Sequence, residues 1–145
     1  MKTDIFIVIE PDIKYILKLN RSVLSHLKWA GNKKYIKNML LNGMYRDNLG
    51  MAYSIFVNSV WAGYIHFYAE NEYIWLNLLA IDKKFQGQGL GEKLVRHVEA
   101  EAKFFKVNEI KLWCLESCVS YYESLGYVRF ELDKKWYGMK KVKKC

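Results

Sequence analysis

Residues 79–92 read LAIDKKFQGQGLGE, with glycines at 87, 89 and 91, and an amphipathic run follows at once. An apolar run that ends in a glycine-rich turn and opens a helix suits one kind of chemistry. The first N–H groups of a helix have no intrahelical partner, and the helix dipole adds partial positive charge there. Glycines remove the side chains that would hold a phosphate away. One glycine would serve a plain tight turn, whereas three in five residues point to a phosphate brought against the backbone. The spacing excludes a P-loop, which ends Gly-Lys-Ser/Thr, because Gly91 is followed by Glu92 and Lys93. A dinucleotide fingerprint misses by one residue, its third glycine falling on Glu92. Glu116, at the end of the next strand, could serve a ribose, so dinucleotide binding stays open as an alternative.

Further along, SCVSYYESLGY offers two adjacent phenols, Tyr121 and Tyr122. A tyrosine hydroxyl, with an ordinary pKa of about 10, is protonated at neutral pH and can act as a general acid. One of the two is expected to face the core. The cysteines, Cys114, Cys118 and Cys145, are few and odd in number. They argue for a reducing compartment, hence a cytoplasmic location, and against a disulfide framework. Cys114 and Cys118 read as small buried thiols. Neither histidine nor a further cysteine pair completes a metal site, so no metal is expected.

The elements that must position these groups alternate in period. DIFIVI (4–9) reads as a strand. PDIKYILKLNRSVLSHLKW reads as one helix with Pro11 near its first turn, and NKKYIKNMLLNG as a second helix stopped by Gly43. MAYSIFVN and VWAGYIHFYA, separated by Asn58-Ser59, read as a hairpin. NEYIWLNLLAI (71–81) is a third strand, expected to be buried on both faces. In the helix after the glycines, Leu90, Leu94, Val95, Val98, Ala102 and Phe105 form one apolar stripe, with Glu92/Arg96 and Glu99/Lys103 as ion pairs on the other face. NEIKLWCL, the SCVSYYESLG helix, YVRFEL and KWYGMKKV complete the order β-α-α-β-β-β-α-β-α-β-β. That is a mixed α/β fold of three layers, with residues 1–145 as a single domain.

Composition narrows the classes. Hydrophobic residues make up 52% and aromatics 16%, too apolar for a disordered chain. No run approaches the ~20 residues of a membrane span, and the start breaks into charge too soon for a signal peptide. The net charge of +8 favours an anionic partner: nucleic acid, an acidic surface or a small polyphosphate. Nucleic acid is disfavoured, since none of its usual binding motifs appears.

The stretch LLAIDKKFQGQGLGEKL resembles the acetyl-CoA-binding motif of the GCN5-related N-acetyltransferase (GNAT) superfamily, Arg/Gln-x-x-Gly-x-Gly/Ala, carried here by Gln86, Gly89 and Gly91. Some thirty residues on, Tyr122, Glu123, Leu125, Gly126 and Tyr127 resemble that family's Tyr-Glu-x-Leu-Gly-Phe/Tyr helix end. The element order is also similar, across nearly the whole chain.

The resemblance implies an acetyl-CoA-dependent N-acetyltransferase in which a primary amine attacks the thioester directly. It implies that Gln86, Gly87, Gln88, Gly89, Leu90, Gly91 and Glu92 cradle the pyrophosphate, and that the main chain of Leu79, Ala80 and Ile81 pairs with the pantetheine arm. Tyr122 would then protonate the leaving thiolate. The family's cofactor-binding asparagine is replaced by Leu115, which leaves Ser117 as a cofactor candidate. The strand glutamate used as a base in some members is absent. Trp75 and Asn77 stand there instead, as acceptor-pocket candidates. Glu70, Glu72, His66 and Glu116 are base candidates by residue type alone, each expected to be surface or structural. His26 and His97 are expected on helix surfaces. The acceptor would be a small-molecule, protein or peptide amine, and a homodimer is a family-level expectation. A noncatalytic acyl-CoA sensor on the same fold remains an alternative.

Overall fold

The computed structural model describes residues 3–9, 12–25, 27–42, 49–70 and 72–142. The helix α1 (Ile13–Val23) starts where the Asp12 side chain accepts the Tyr15 N–H at 3.2 Å, a capping arrangement that satisfies one orphan donor. It is shorter than its apolar period suggests. Leu24 leaves helical geometry, and residues 28–31 form a separate 3₁₀ turn. The buried Asn20 holds that turn, donating to the Ala30 carbonyl at 2.8 Å while accepting from the Tyr64 hydroxyl. Leu24, Leu27 and Trp29 still pack on the same core as α1, so the apolar rhythm runs on after the helix has stopped. The second helix, α2, spans Lys33–Asn42. Pro11, His26 and Gly43 lie outside the described residues.

The strands are β1 (Ile5–Val8), β2 (Leu49–Val57), β3 (Val60–Ala69), β4 (Ile74–Ile81), β5 (Glu109–Leu115), β6 (Val128–Asp133) and β7 (Trp136–Val142), with α3 (Leu90–Phe104) and α4 (Glu116–Ser124) between them. They form one sheet of order β1-β2-β3-β4-β5-β7-β6, antiparallel except for β4 against β5. Asn58 and Ser59 both take positive φ, 49° and 68°, as a two-residue hairpin turn with the native twist requires. One core lies between the sheet and α3 and α4, and a smaller one lies under α1 and α2.

The strand β4 carries an irregularity on which the site depends. His66 pairs with Leu78 but Phe67 pairs with Leu76, so Asn77 is an extra residue, a β-bulge. Strict alternation would keep residues 74, 76, 78 and 80 on one face. Instead Ile74 and Leu76 lie in the α3-side core, and Leu78 and Ala80 in the α1-side core. The hydrogen bonds change phase too. Glu70 N–H bonds Tyr73 C=O on one side of the bulge, and Asp82 N–H bonds Ala62 C=O on the other, both at 2.8 Å. Stepping back by two from Asp82, Ala80 and Leu78 are the residues whose main chain faces β3. Leu79 and Ile81 therefore turn theirs away from it.

The α3 stripe is as its spacing predicts, with Leu90, Leu94, Val95, Val98 and Ala102 buried, and Glu92 lies 3.5 Å from Arg96. The expected Glu99/Lys103 surface pair is corrected: Glu99 is buried. It accepts from Arg96 Nη1 and the Tyr127 hydroxyl, both at 2.9 Å, and lies 3.3 Å from Lys141 Nζ. Arg96 and Lys141 also both donate to the Leu125 carbonyl at 3.0 Å. Arg96 one turn away and partners from two distant segments, Tyr127 and Lys141, outcompete the i,i+4 lysine, because a buried carboxylate needs several donors. The same pattern ties the end of α4 to α3 and β7. Glu99→Ala would leave Tyr127 and Lys141 facing an empty buried site and should lower the unfolding free energy by about 3 kcal/mol in urea titration. Glu99→Gln, which still accepts from Tyr127, should lose less; a loss below about 1 kcal/mol for Glu99→Ala would show that the network contributes little.

Candidate functional site

Parallel pairing of β4 with β5 covers Ile74↔Ile110, Trp75↔Lys111 and Leu76↔Leu112, and goes no further. Beyond it the two strands form a fork. Leu79 and Ile81, whose main chain faces away from β3, sit on the open side of β4. The fork continues into a cleft of ≈ 790 Å³ bounded by Leu79 and Ile81, by the glycine loop, and by α4.

The loop is built to leave N–H groups free. After β4, Asp82 caps a short 3₁₀ turn, accepting from Lys84 N–H at 3.0 Å, and the Gln86 amide bonds back to the Ile81 carbonyl at 3.0 Å. Gly87 and Gly89 then take φ of 82° and 76°, the left-handed region that glycine occupies without strain. Gly89 is the N-cap of α3 and has no side chain to spend on it. The first N–H to bond within the helix is that of Lys93, to Gly89 C=O at 3.1 Å. The donors of Leu90, Gly91 and Glu92 are the orphans of this helix start, with the positive end of its dipole behind them. The Glu92 carboxylate, which would oppose an anion, is drawn toward Arg96.

Across the cleft, Tyr121 reaches over the loop: a Cβ on Gly91 would lie 2.7 Å from its hydroxyl oxygen. Burial, reinforced by Glu92, raises the pKa of that hydroxyl. Tyr122 is half-buried instead. Its ring meets Tyr121 and Tyr127 edge-on, with centroids at 5.1 and 5.8 Å, and packs on the α3-side core. Burial pushes the Tyr122 hydroxyl well above its ordinary pKa, with Tyr121, Cys118 and Cys114 adding to the effect.

The structure gathers most of the residues singled out in the sequence. Leu79, Ile81, Gln86, Gly87, Gly89, Leu90, Gly91 and Glu92 line the cleft. Gln88 opens onto a neighbouring depression beside Lys93 and Arg96. Ala80, expected on the pantetheine path, is corrected: its side chain is buried in the α1-side core and its main chain faces β3, away from the fork. Ser117 is exposed at the start of α4, 4.0 Å from Cys118 Sγ. Trp75 packs tilted against Trp113, with ring centroids 6.3 Å apart, and Asn77 Nδ2 lies 3.3 Å from His66 Nδ1.

Several expectations are corrected. Cys118 is exposed and lines the cleft, while Cys114 is buried and its thiol is pushed up to about 11. His66, expected to be surface or structural, is fully buried, and burial pushes its imidazole down to about 4. His97 is half-buried, edge-on to Tyr53 at 4.5 Å. Phe85 and Ser124 also line the cleft and were not singled out, and Leu125, marked in the sequence only as part of the helix-end motif, lines it too. The spacing of Cys118, Tyr121 and Leu125, one stripe of a helix, was the signal that could have found the α4 wall. Among the described residues no three His, Cys, Asp or Glu are grouped to hold a metal, and no helix is long and apolar enough to cross a membrane.

Residues 51–129 match the family model described as an acetyltransferase (GNAT) domain. No curated protein matches the chain in sequence. Among solved structures it is similar to the PaiA N-acetyltransferase of Thermoplasma acidophilum in complex with coenzyme A, at 17% identity over 98% of this chain and 99% of that one, with a TM-score of 0.78. The ribosomal-protein-S18-alanine N-acetyltransferase of Escherichia coli is similar at 16% identity over 98% and 96%, TM-score 0.78. So is a GNAT family acetyltransferase of Elizabethkingia anophelis with acetyl-CoA bound, at 16% over 95% and 97%, TM-score 0.68. At these identities the likeness is one of fold.

The Gly91–Tyr121 contact gives a test of the loop geometry. Alanine is the better helix former by up to about 1 kcal/mol. In a Tyr121→Phe background, which removes the obstructing oxygen, Gly91→Ala should be neutral or stabilising. With Tyr121 present the same change should be destabilising. A double-mutant cycle by chemical denaturation reads the coupling, and additive effects would contradict the contact.

Proposed function

The chain belongs to the acetyltransferase (GNAT) domain family, and from that premise we propose that it moves an acetyl group from acetyl-CoA to a primary amine by direct attack. The observation that carries this reading is the uncapped start of α3 beside the open fork. An orphan-donor cup suits a diphosphate, and a strand edge without a neighbour suits an amide-bearing arm. Both lie on one cleft.

The N–H groups of Leu90, Gly91 and Glu92 hold the diphosphate, with Gln86, Gly87, Gln88 and Gly89 shaping the loop around it. The main chain of Leu79 and Ile81 lines the pantetheine path, with that of Ala80 between them turned to β3. The N–H of Leu79 polarises the thioester carbonyl, a contribution of about 3 kcal/mol to the transition state in acyl transfers of this type. Ser117 contacts the cofactor from the start of α4. The amine approaches from the side of Trp75 and Asn77, and its nitrogen attacks the carbonyl carbon. As the C–S bond breaks, Tyr122 gives its proton to the departing sulfur, and the proton lost by the amine passes to water. The acceptor is a small-molecule, protein or peptide amine, consistent with the substrate named for the E. coli enzyme of similar fold.

Two measurements test this. Acetyl-CoA at a hundred times its Kd should stabilise the protein by about 2.7 kcal/mol, read as a rise in Tm. Tyr122→Phe should lower kcat about 100-fold with the KM for acetyl-CoA little changed, whereas Tyr121→Phe should cost less than about threefold in kcat. Equal losses would move the proton donor to Tyr121, and no thermal shift with acetyl-CoA would sink the reading altogether.

The pH dependence has a definite sign. Burial raises the Tyr122 pKa, so its acid form persists through the neutral and mildly alkaline range. The rate should climb as the amine loses its proton and show no descending limb below about pH 10. A descending limb near pH 8 in the parent, absent in Tyr122→Phe, would keep Tyr122 as the acid but contradict the upward direction of its pKa.

A further inference from the structure

His66 stands opposite the bulge. It pairs with Leu78, and the extra residue Asn77 brings its amide nitrogen to 3.3 Å from His66 Nδ1. When that amide donates, Nδ1 is the acceptor and Nε2 carries the ring proton. Among the described residues, Nε2 is the buried side-chain polar atom without a hydrogen-bond partner. The Tyr68 ring, at 86° and 4.8 Å, offers a weak contact at best.

Stability does not explain such a residue. A buried donor left unmet is unfavourable, and an apolar ring of similar shape would remove the penalty. A strained or unsatisfied group kept beside a working site points to function. Burial also keeps the imidazole neutral down to about pH 4, so at neutral pH it is already a fixed acceptor for the Asn77 amide and a poor base.

We propose that His66 is a positioning residue: by holding Asn77 it fixes the β4 bulge, and the bulge turns the main chain of Leu79 and Ile81 into the fork. Without the extra residue in place, Leu78 and Ala80 would face the fork and the Leu79 N–H would bond to β3. His66 therefore acts through the backbone, without touching either substrate. The role in catalysis rests on the acetyl-transfer reading above; the role in holding the bulge does not.

The experiment pairs His66→Phe with His66→Asn, whose amide oxygen can accept from Asn77 near the place of Nδ1. His66→Phe should leave Tm unchanged or raised while kcat falls at least tenfold and the KM for acetyl-CoA moves less than threefold, since the diphosphate cup is untouched. His66→Asn should recover kcat to within threefold of the parent. A merely structural histidine would instead lower Tm and leave the kcat of the folded fraction intact. A His66→Phe kcat within twofold of the parent therefore overturns the catalytic role. Amide hydrogen exchange supplies a readout without turnover: His66→Phe should speed exchange at Asn77 and Leu78 at least tenfold while Tyr64 and Ile65 keep their protection. Unchanged exchange overturns the role in the bulge. If the parent binds no acetyl-CoA, the acetyl-transfer reading fails and the bulge claim is decided by exchange alone.

Discussion

One extra residue in β4 decides what the fork can do. A strand has a period of two, so inserting Asn77 opposite His66 exchanges the roles of all later positions. Upstream, Ile74 and Leu76 fill the α3-side core and pair along β5. Downstream, Leu78 and Ala80 fill the other core, while Leu79 and Ile81 turn side chains to the cleft and main chain to the open edge. The strand therefore serves two cores and a ligand path with a single run of apolar residues. The burial pattern stays alternating across the bulge, so the change of phase shows in the register and in which core each residue joins.

The second requirement is that the two walls of the cleft stay together. Past Leu76, β5 no longer holds β4, and α4 belongs to the β5 side. Glu99 supplies a link. From within α3 it gathers Arg96, Tyr127 and Lys141, and two of those cations also hold the carbonyl of Leu125. The end of α4 is thereby bound to the helix whose uncapped start opens onto the cleft. Tyr121, about one and a half turns from the start of α4, hangs over Gly91 as a consequence. A charged cluster is a weak source of net stability, since desolvation offsets much of its attraction. It is a good source of fixed geometry, and the cleft needs its two walls at a fixed spacing.

The legibility of the sequence followed the range of the interactions. The Asn58-Ser59 turn, the α3 stripe and the glycine loop are local, set by φ preference and helical period, and they stand where the residues place them. The family match covers the loop and the α4 motif together. Non-local competition hid the rest. The apolar rhythm of residues 13–29 continues through a turn held by Asn20 and Tyr64, partners 44 positions apart. Glu99 looked like half of an i,i+4 pair until distant segments supplied better donors. Cys118 and Cys114 share a residue type and a neighbourhood, but Cys114 faces the core from β5 while Cys118 turns to the cleft from α4. No pattern of residue types announces a bulge, so nothing in the sequence tied His66 to the sheet's most consequential irregularity.

The fork also turns the accounting of backbone hydrogen bonds into an argument about function. Buried main-chain groups are almost always paired, and a strand that leaves its neighbour after three pairs forgoes bonds that a longer ladder would supply. The helix start repeats the pattern, since Gly89, held at φ 76°, leaves the first donors of α3 without a side-chain partner. Both omissions fall on the same cleft, and both expose backbone rather than side chains. A partner that completes them must itself offer backbone-like groups along one stretch and negative oxygens at one end. Its recognition would then depend little on the identity of exposed side chains, because the groups left unpaired are those of the backbone.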